Sequence, residues 1–221
     1  MTPNAPTQGS EFLVAAVIVT YHPEVSLKEN LTIVVPQVQK TVVVDNTEDS
    51  SSKDVLLALE RIGCHIIKNG KNVGIGRAQN QGIQWAEAQG CSWILTLDQD
   101  THVSNNLIQF YVDSLRGELS NKNVGIISTR YKDINARAVA GTISITNTNN
   151  AWKEVGFLIS SGSFFSVDIF RKAGGFREDF FLDWVDHDFC LKVRHAGFKN
   201  YIYFQPMFEH SLGKKTRHTI P

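Results

Sequence analysis

The stretch Trp93-Ile94-Leu95-Thr96-Leu97-Asp98-Gln99-Asp100 decides how this chain is read. A short apolar run bounded by polar residues is a buried strand, and this one ends in two carboxylates. Residues two apart in an extended segment point the same way, so Asp98 and Asp100 can serve one ligand. Hard divalent cations take one or two protein carboxylates and complete their shell with diphosphate oxygens and water. With twelve aspartates in 221 residues such a pair is common by chance, so its position matters more than its presence. It lies at the carboxyl end of a strand, where open α/β sheets place their ligands.

Further apolar runs cover residues 12–20, 41–45, 64–68 and 124–128. Between them, residues 52–62 carry Val55, Leu56, Leu59 and Ile62 at helical spacing and end at Gly63, and residues 75–89 end at Gly90. Continuously apolar strands alternating with helices predict a mostly parallel sheet covered on both faces. The rhythm fades after Tyr131, where the Thr/Asn-rich residues 142–150 precede an apolar run at 155–160. The second half reads as α+β, with helices at 167–173 and 183–196 and an extended segment at 201–204. There is no repeat and no linker long enough to divide the chain. Residues 1–11 are polar and carry two prolines, which predicts a loose tail.

Composition narrows the function. Lys plus Arg and Asp plus Glu both number 22, a formal net charge of +0, so no global field recruits nucleic acid or an anionic membrane. Cys64, Cys91 and Cys190 are too few and too scattered for a disulfide framework or a zinc site, which suits a reducing, cytoplasmic compartment. The apolar run at 12–19 is too short to span a bilayer, and no Lys or Arg precedes it as a secretory signal requires.

A second polar constellation is Phe181-Leu182-Asp183-Trp184-Val185-Asp186-His187-Asp188. On a helix, Asp183, Asp186 and Cys190 share a face, while Asp188 lies about 200° around from Asp186. Read for structure alone, Asp183 is an N-cap and Asp186 a carboxylate favoured by the helix dipole. Trp93 and Trp184 read as core or pocket wall. Gly74-Ile75-Gly76-Arg77-Ala78-Gln79 approximates a dinucleotide fingerprint, but Gln79 replaces the third glycine and the segment follows the third strand, which argues against a dehydrogenase. His187, Cys190 and His195 lack the second cysteine pair that a zinc site would need.

Taken together, these segments resemble the inverting family 2 glycosyltransferases of GT-A fold, and more narrowly their bacterial rhamnosyltransferase branch. The resemblance runs from Val14 to Gly213. It rests on Val17-Ile18-Val19-Thr20-Tyr21, Val43-Val44-Asp45-Asn46, Asn72-Val73-Gly74, Ala78-Gln79-Asn80-Gln81-Gly82 and Leu97-Asp98-Gln99-Asp100, followed by Ser161-Gly162-Ser163, Gly174-Gly175-Phe176, Trp184-Val185-Asp186-His187-Asp188 and His210-Ser211-Leu212-Gly213. Any one of these is weak, but their shared order is specific.

The resemblance implies an α/β GT-A (nucleotide-diphospho-sugar transferase) fold, with a Rossmann-like, mostly parallel sheet, helices on both faces and a smaller α+β acceptor side. Residues 12–213 would form one domain, with 12–130 binding the nucleotide sugar and 131–213 carrying the acceptor side and the catalytic base. It implies that Thr20, Tyr21 and Asp45 hold base and ribose. Asn72, Gly74 and Asn80 would close over the nucleotide, with Arg77 near the diphosphate. Asp98 would face the ribose and Asp100 a divalent cation, Mn²⁺ or Mg²⁺, with His210 as a further metal or diphosphate contact.

Asp186 matches the family's base, although Val185 stands where many relatives have Glu. Ser161, Gly162 and Ser163 would lie by the donor sugar, while Trp184 and Asp188 would lie on the donor-sugar and acceptor side. The implied donor is dTDP-L-rhamnose, with UDP- or GDP-linked sugars as alternatives. The implied acceptor is a hydroxyl of a bacterial surface polysaccharide or lipid-linked oligosaccharide.

One base and one metal-holding pair suffice for inversion, because a metal rather than a protein acid can neutralise the leaving diphosphate. Aspartate-nucleophile phosphohydrolases also place two aspartates after a strand. Theirs is the first strand, with Thr or Val two residues beyond, where this chain has His102 on the segment after its fourth. A nucleotide-sugar-binding module with little transfer activity is the other rival, because relatives often continue past the point where this chain stops, at Pro221. The basic residues 214–221, with Lys214, Lys215, Arg217 and His218, suit a solvated end or a peripheral contact with anionic lipid at the membrane's inner face. Oligomeric state is not written in the sequence.

Overall fold

A computed structural model describes residues 12–133, 139–140 and 152–210. The expected tail at 1–11, the Thr/Asn-rich stretch at 142–150, the end of the last motif at Gly213 and the basic residues 214–221 lie outside the described residues. Four strands, β1 (Val14–Thr20), β2 (Lys40–Asp45), β3 (His65–Lys68) and β4 (Trp93–Asp98), are mutually parallel in the order β3-β2-β1-β4. Side chains of β1 alternate between two buried faces. Val14, Ala16 and Ile18 enter one core, and Ala15 and Val17 the other. That is why the run is apolar throughout, with no period of two.

Helices α1 (Leu27–Val34), α2 (Lys53–Glu60) and α4 (Leu107–Arg116) cover the first face, and α3 (Ile75–Ala88), α5 (Val167–Ala173) and α6 (Val185–His195) cover the second. Gly82 lets α3 lie directly on the sheet, since a Cβ there would collide with Val17. Helix α5 matches its expected range because both ends are capped. The Ser166 hydroxyl accepts from the Ile169 N–H, and Gly174 closes the helix in the left-handed region at φ 77°.

Beyond β4 the sheet continues through β9 (Ser163–Ser166), β6 (Val124–Asp133), β10 (Lys199–His210) and β5 (His102–Val103), with β7 (Val139–Ala140) on β6 and β8 (Trp152–Val155) on β10. β9 runs antiparallel between β4 and β6, and β10 runs parallel to β6. The carboxyl ends of β1, β2, β4, β6 and β10 therefore meet one edge of the sheet, and β9 begins there.

Several sequence expectations change. α1, α4 and β9 are additional elements, and β6 and β10 run well past the expected 124–128 and 201–204. Only the start of the apolar run at 155–160 is strand; residues 156–160 form a loop held to α6 by Leu158 and Cys190, whose Sγ accepts from the Leu158 N–H at 3.3 Å. Helix α6 starts at Val185, because Trp184 takes the left-handed conformation at φ 67°. Asp183 therefore lies outside the helix and neither caps it nor shares a face with Asp186. Among the described residues no helix is long and apolar enough to cross a membrane.

Candidate functional site

The shared strand edge assembles the site. The register Val19↔Asp98 sets the end of β1 beside the end of β4, and Gln99 ties the following residues together. Its side-chain oxygen accepts from the Tyr21 N–H at 2.9 Å, and its amide donates to the Tyr21 carbonyl at 3.2 Å. On the other flank, the register Thr96↔Ser163 brings the turn before β9 to the same place, where the Asp98 N–H donates to the Ser161 hydroxyl at 3.1 Å. The Ser161 hydroxyl meets that of Thr101 at 2.5 Å, and Thr101 lies 3.2 Å from His210 Nδ1.

His210 arrives from the far end of the chain because β5 pairs antiparallel with β10, with Glu209 opposite His102. This pairing folds the residues after Asp100 onto the last strand. His210 Nδ1 then lies 3.2 Å from Asp100 Oδ1, and Nε2 lies 3.7 Å from Asp98 Oδ2. One ligand atom from each of Asp98, Asp100 and His210 falls within 4.8 Å of the others. Two carboxylates and an imidazole suit a hard or borderline divalent cation, and three protein donors leave room for diphosphate oxygens. The donor set fits the implied metal.

The electrostatics of the cleft are strained. Burial pushes the Asp98 carboxyl up to about 7; His210 opposes this, while the charges of Asp186 and Asp100 add to it. Burial pulls the His210 imidazolium down, but its hydrogen bond to Asp100 and the charges of Asp98, Asp100 and Asp133 outweigh that and hold it above the ordinary histidine value. Burial likewise raises Asp186, against hydrogen bonds from Ser160 and the charges of His187 and His210. Asp186 thus shares an electrostatic environment with the triad. Clefts that concentrate such shifts are functional-site candidates.

The remaining expected residues divide. Asp45 is buried, and both its oxygens are engaged. Oδ1 accepts from Thr20 and Thr47 and Oδ2 from Ser52, all at 2.8 Å. Tyr21 is exposed at the rim. Asn72 accepts from the Gly74 N–H at 3.1 Å and from Asn46 at 3.3 Å, closing the loop into α3. Asn80 faces the loop before α6. It donates to the Phe176 carbonyl and accepts from the Phe176 N–H, both at 2.9 Å. Arg77 lies 3.9 Å from Glu178 on the surface. Gly162 lies in the turn before β9, where its carbonyl accepts from Tyr111 and Ser128, and Ser163 opens that strand, its hydroxyl donating to the Ile159 carbonyl. Trp184 is exposed, and Asp188 pairs with Lys192 at 2.8 Å.

The structure thus gathers Asp98, Asp100, His210 and Ser161, with the charge of Asp186 felt at Asp98, and turns Asn80 to the loop before α6 and Asp188 to Lys192 on its own helix. Gln99, Thr101 and Ser160 take part without having been singled out. Gln99 lies inside the aspartate pair, but nothing local signals its bond to Tyr21.

Comparison with known proteins places the chain in a family. The family description Glycosyl transferase family 2 matches residues 15–174. The dTDP-rhamnosyl transferase RfbF of Shigella flexneri is 30% identical over 216 residues, covering 91% of this chain and 70% of that protein. Residues 1–349 of S. aureus TarS, solved with UDP-GlcNAc, superpose with a TM-score of 0.68 at 16% identity over 92% of this chain, which spans 59% of that fragment. Against a longer TarS chain the score is 0.66, and this chain spans 36% of it. At those identities TarS speaks for the GT-A fold alone. The family match over most of the length and the RfbF similarity together establish that the chain belongs to glycosyl transferase family 2, in its rhamnosyltransferase branch.

Proposed function

We propose that the chain transfers L-rhamnose, with inversion, from dTDP-L-rhamnose to a hydroxyl of a surface polysaccharide or lipid-linked oligosaccharide. The observation that carries this reading is the convergence of Asp98, Asp100 and His210 at the carboxyl end of β4, with the raised carboxyl of Asp186 in the same electrostatic environment. The similarity to RfbF supports the choice of donor.

In this reading the donor-side residues 12–130 and the acceptor-side residues 131–213 work as one domain. Asp100 and His210, with Asp98 close enough to join them, would hold Mn²⁺ or Mg²⁺, which would supply charge neutralisation to the leaving nucleoside diphosphate. Asp186 takes the proton of the acceptor hydroxyl as its oxygen bonds to C1 and the C1–O bond to diphosphate breaks. A carboxyl raised by burial is a better base for this than an ordinary aspartate. Gln99 keeps Tyr21 beside the triad, where Tyr21 and Thr20 border the nucleotide. Ser161 and Thr101 orient His210.

Calorimetry of dTDP, UDP and GDP, each with and without Mn²⁺, tests the reading. Metal-dependent preference for dTDP is the expected outcome. Preference for UDP or GDP removes the rhamnose donor, and binding indifferent to the ion removes the metal site.

A further inference from the structure

Trp184 combines two costly features. Its backbone is left-handed at φ 67°, a conformation that bulky side chains rarely adopt, and its indole is 68% exposed, so core packing does not repay the strain. It immediately precedes Val185 and Asp186. Phe157 is also anomalous, at 51% exposed on the loop between β8 and β9. The two rings flank His187. Phe157 stacks on that imidazole at 4.3 Å between centroids and 26° between planes, and Trp184 lies at 5.1 Å and 58°.

The loop that carries Phe157 is fixed to α6 at two points, by Leu158 on Cys190 and by Ser160 on Asp186. The aromatic row and the base are therefore set in one frame.

We propose that Phe157, His187 and Trp184 form a stacking platform for an uncharged pyranose ring of the acceptor, beside Asp186. This rests on the glycosyltransferase reading above and names the chemistry of its acceptor. Aromatic faces pair with the apolar C–H side of a sugar ring, and contiguous exposed apolar surface beside a cleft marks a binding site. Exposed Asp183, which has no ion-pair partner among the described residues, stands next to the platform as an acceptor for ring hydroxyls.

Phe181 and Leu182 are exposed nearby, but the charges around them give no cationic excess for an anionic membrane. Glu178, Asp179 and Asp188 are paired with Arg77, Arg177 and Lys192, and Asp183 offsets Arg194, which lies beside Gly156. An anionic bilayer gains no electrostatic attraction here, whereas a neutral sugar beside Asp186 meets the Asp183 carboxylate as a hydrogen-bond acceptor.

The test is ligand-observed NMR titration of methyl α-L-rhamnoside and methyl β-D-glucoside, with and without dTDP. The proteins compared are the wild type, Phe157→Ala, Trp184→Phe and Trp184→Gly. The expected result is binding of at least one glycoside to the wild type, weakened about five- to tenfold in Phe157→Ala and Trp184→Gly and partly restored in Trp184→Phe. Trp184→Gly also relieves the left-handed backbone, so it should melt no lower than the wild type while binding worse, an outcome that lost structure cannot imitate.

Failure of both glycosides to bind the wild type overturns the proposal, as does equal binding by all variants. Loss of wild-type binding to phosphatidylglycerol vesicles in the same variants assigns the patch to a membrane instead. If dTDP fails to bind while the glycosides bind as expected, the donor reading falls and the platform stands.

Discussion

Asp45 and Asp98 occupy equivalent places, each at the carboxyl end of a parallel strand next to β1, and their surroundings are opposite in kind. Asp45 is 2% exposed and receives three hydroxyl hydrogen bonds, from Thr20, Thr47 and Ser52. Its carboxylate is a structural node joining the end of β1 to the loop after β2. Among the described residues Asp98 accepts no such set; it faces Asp100 and His210 across open distances of a few ångströms, and its carboxyl is pushed up to about 7. The same residue type at the same kind of strand end is held by hydroxyls in one case and set among other ionisable groups in the other.

Asp186 gives the largest expected effect on the chemical side of this contrast. Asp186→Asn should lower kcat about 10²- to 10⁴-fold, the range for loss of a general base, while calorimetric dTDP affinity stays within about twofold. A variant that turns over near the wild-type rate would remove Asp186 from the mechanism, and the electrostatic coupling of Asp98 to it would then be incidental.

Stability should split the two strand-end aspartates next. Asp45→Ala leaves three buried hydroxyls without their acceptor and should destabilise by about 2–4 kcal/mol in urea unfolding. Asp98→Asn should not destabilise, and in chelator-treated protein its effect should depend on pH. A carboxyl raised in the fold contributes stability that is present in full below the ordinary aspartate value of 3.8 and is lost as pH rises towards about 7. Wild-type stability, relative to Asp98→Asn, should therefore fall across that interval. Equal destabilisation by both substitutions, with no pH dependence at Asp98, would break the comparison.

The division also explains what could be read from sequence. β1 to β4, α2 and α3 were legible because local signals suffice there: continuous apolar runs, helical spacing, and glycines at Gly63 and Gly90. Helix α5 was legible to the residue because Ser166 and Gly174 cap it. β9 was not, since Ser163-Phe164-Phe165-Ser166 becomes a strand only by insertion between β4 and β6. The candidate triad was legible only through family resemblance. Asp98 and Asp100 mark themselves by position, but His210 reaches them through β5 pairing with β10, a contact between distant parts of the chain that no window of sequence contains. The start of α6 is not legible in the sequence, because helical spacing cannot reveal that Trp184 is left-handed.

That helix holds the smallest and finest version of the contrast. Asp186 and Asp188 lie two residues apart on α6. Asp186 bonds to Ser160 and feels the charge of His210, whereas Asp188 turns to Lys192 at 2.8 Å, an i,i+4 pair on a partly buried surface. An ion pair of that kind on a helix contributes about 0.3–0.5 kcal/mol. Asp188→Asn should therefore lower stability by about that amount, with the loss shrinking in high salt, and should leave kcat nearly unchanged, because so small a loss of folding stability keeps the enzyme folded and does not touch the reaction barrier. Urea unfolding at two salt concentrations and steady-state rates measure both. If Asp188→Asn instead cost as much activity as Asp186→Asn, helix phase would not separate framework from chemistry here, and Asp188 would have to leave Lys192 and act in the cleft during turnover.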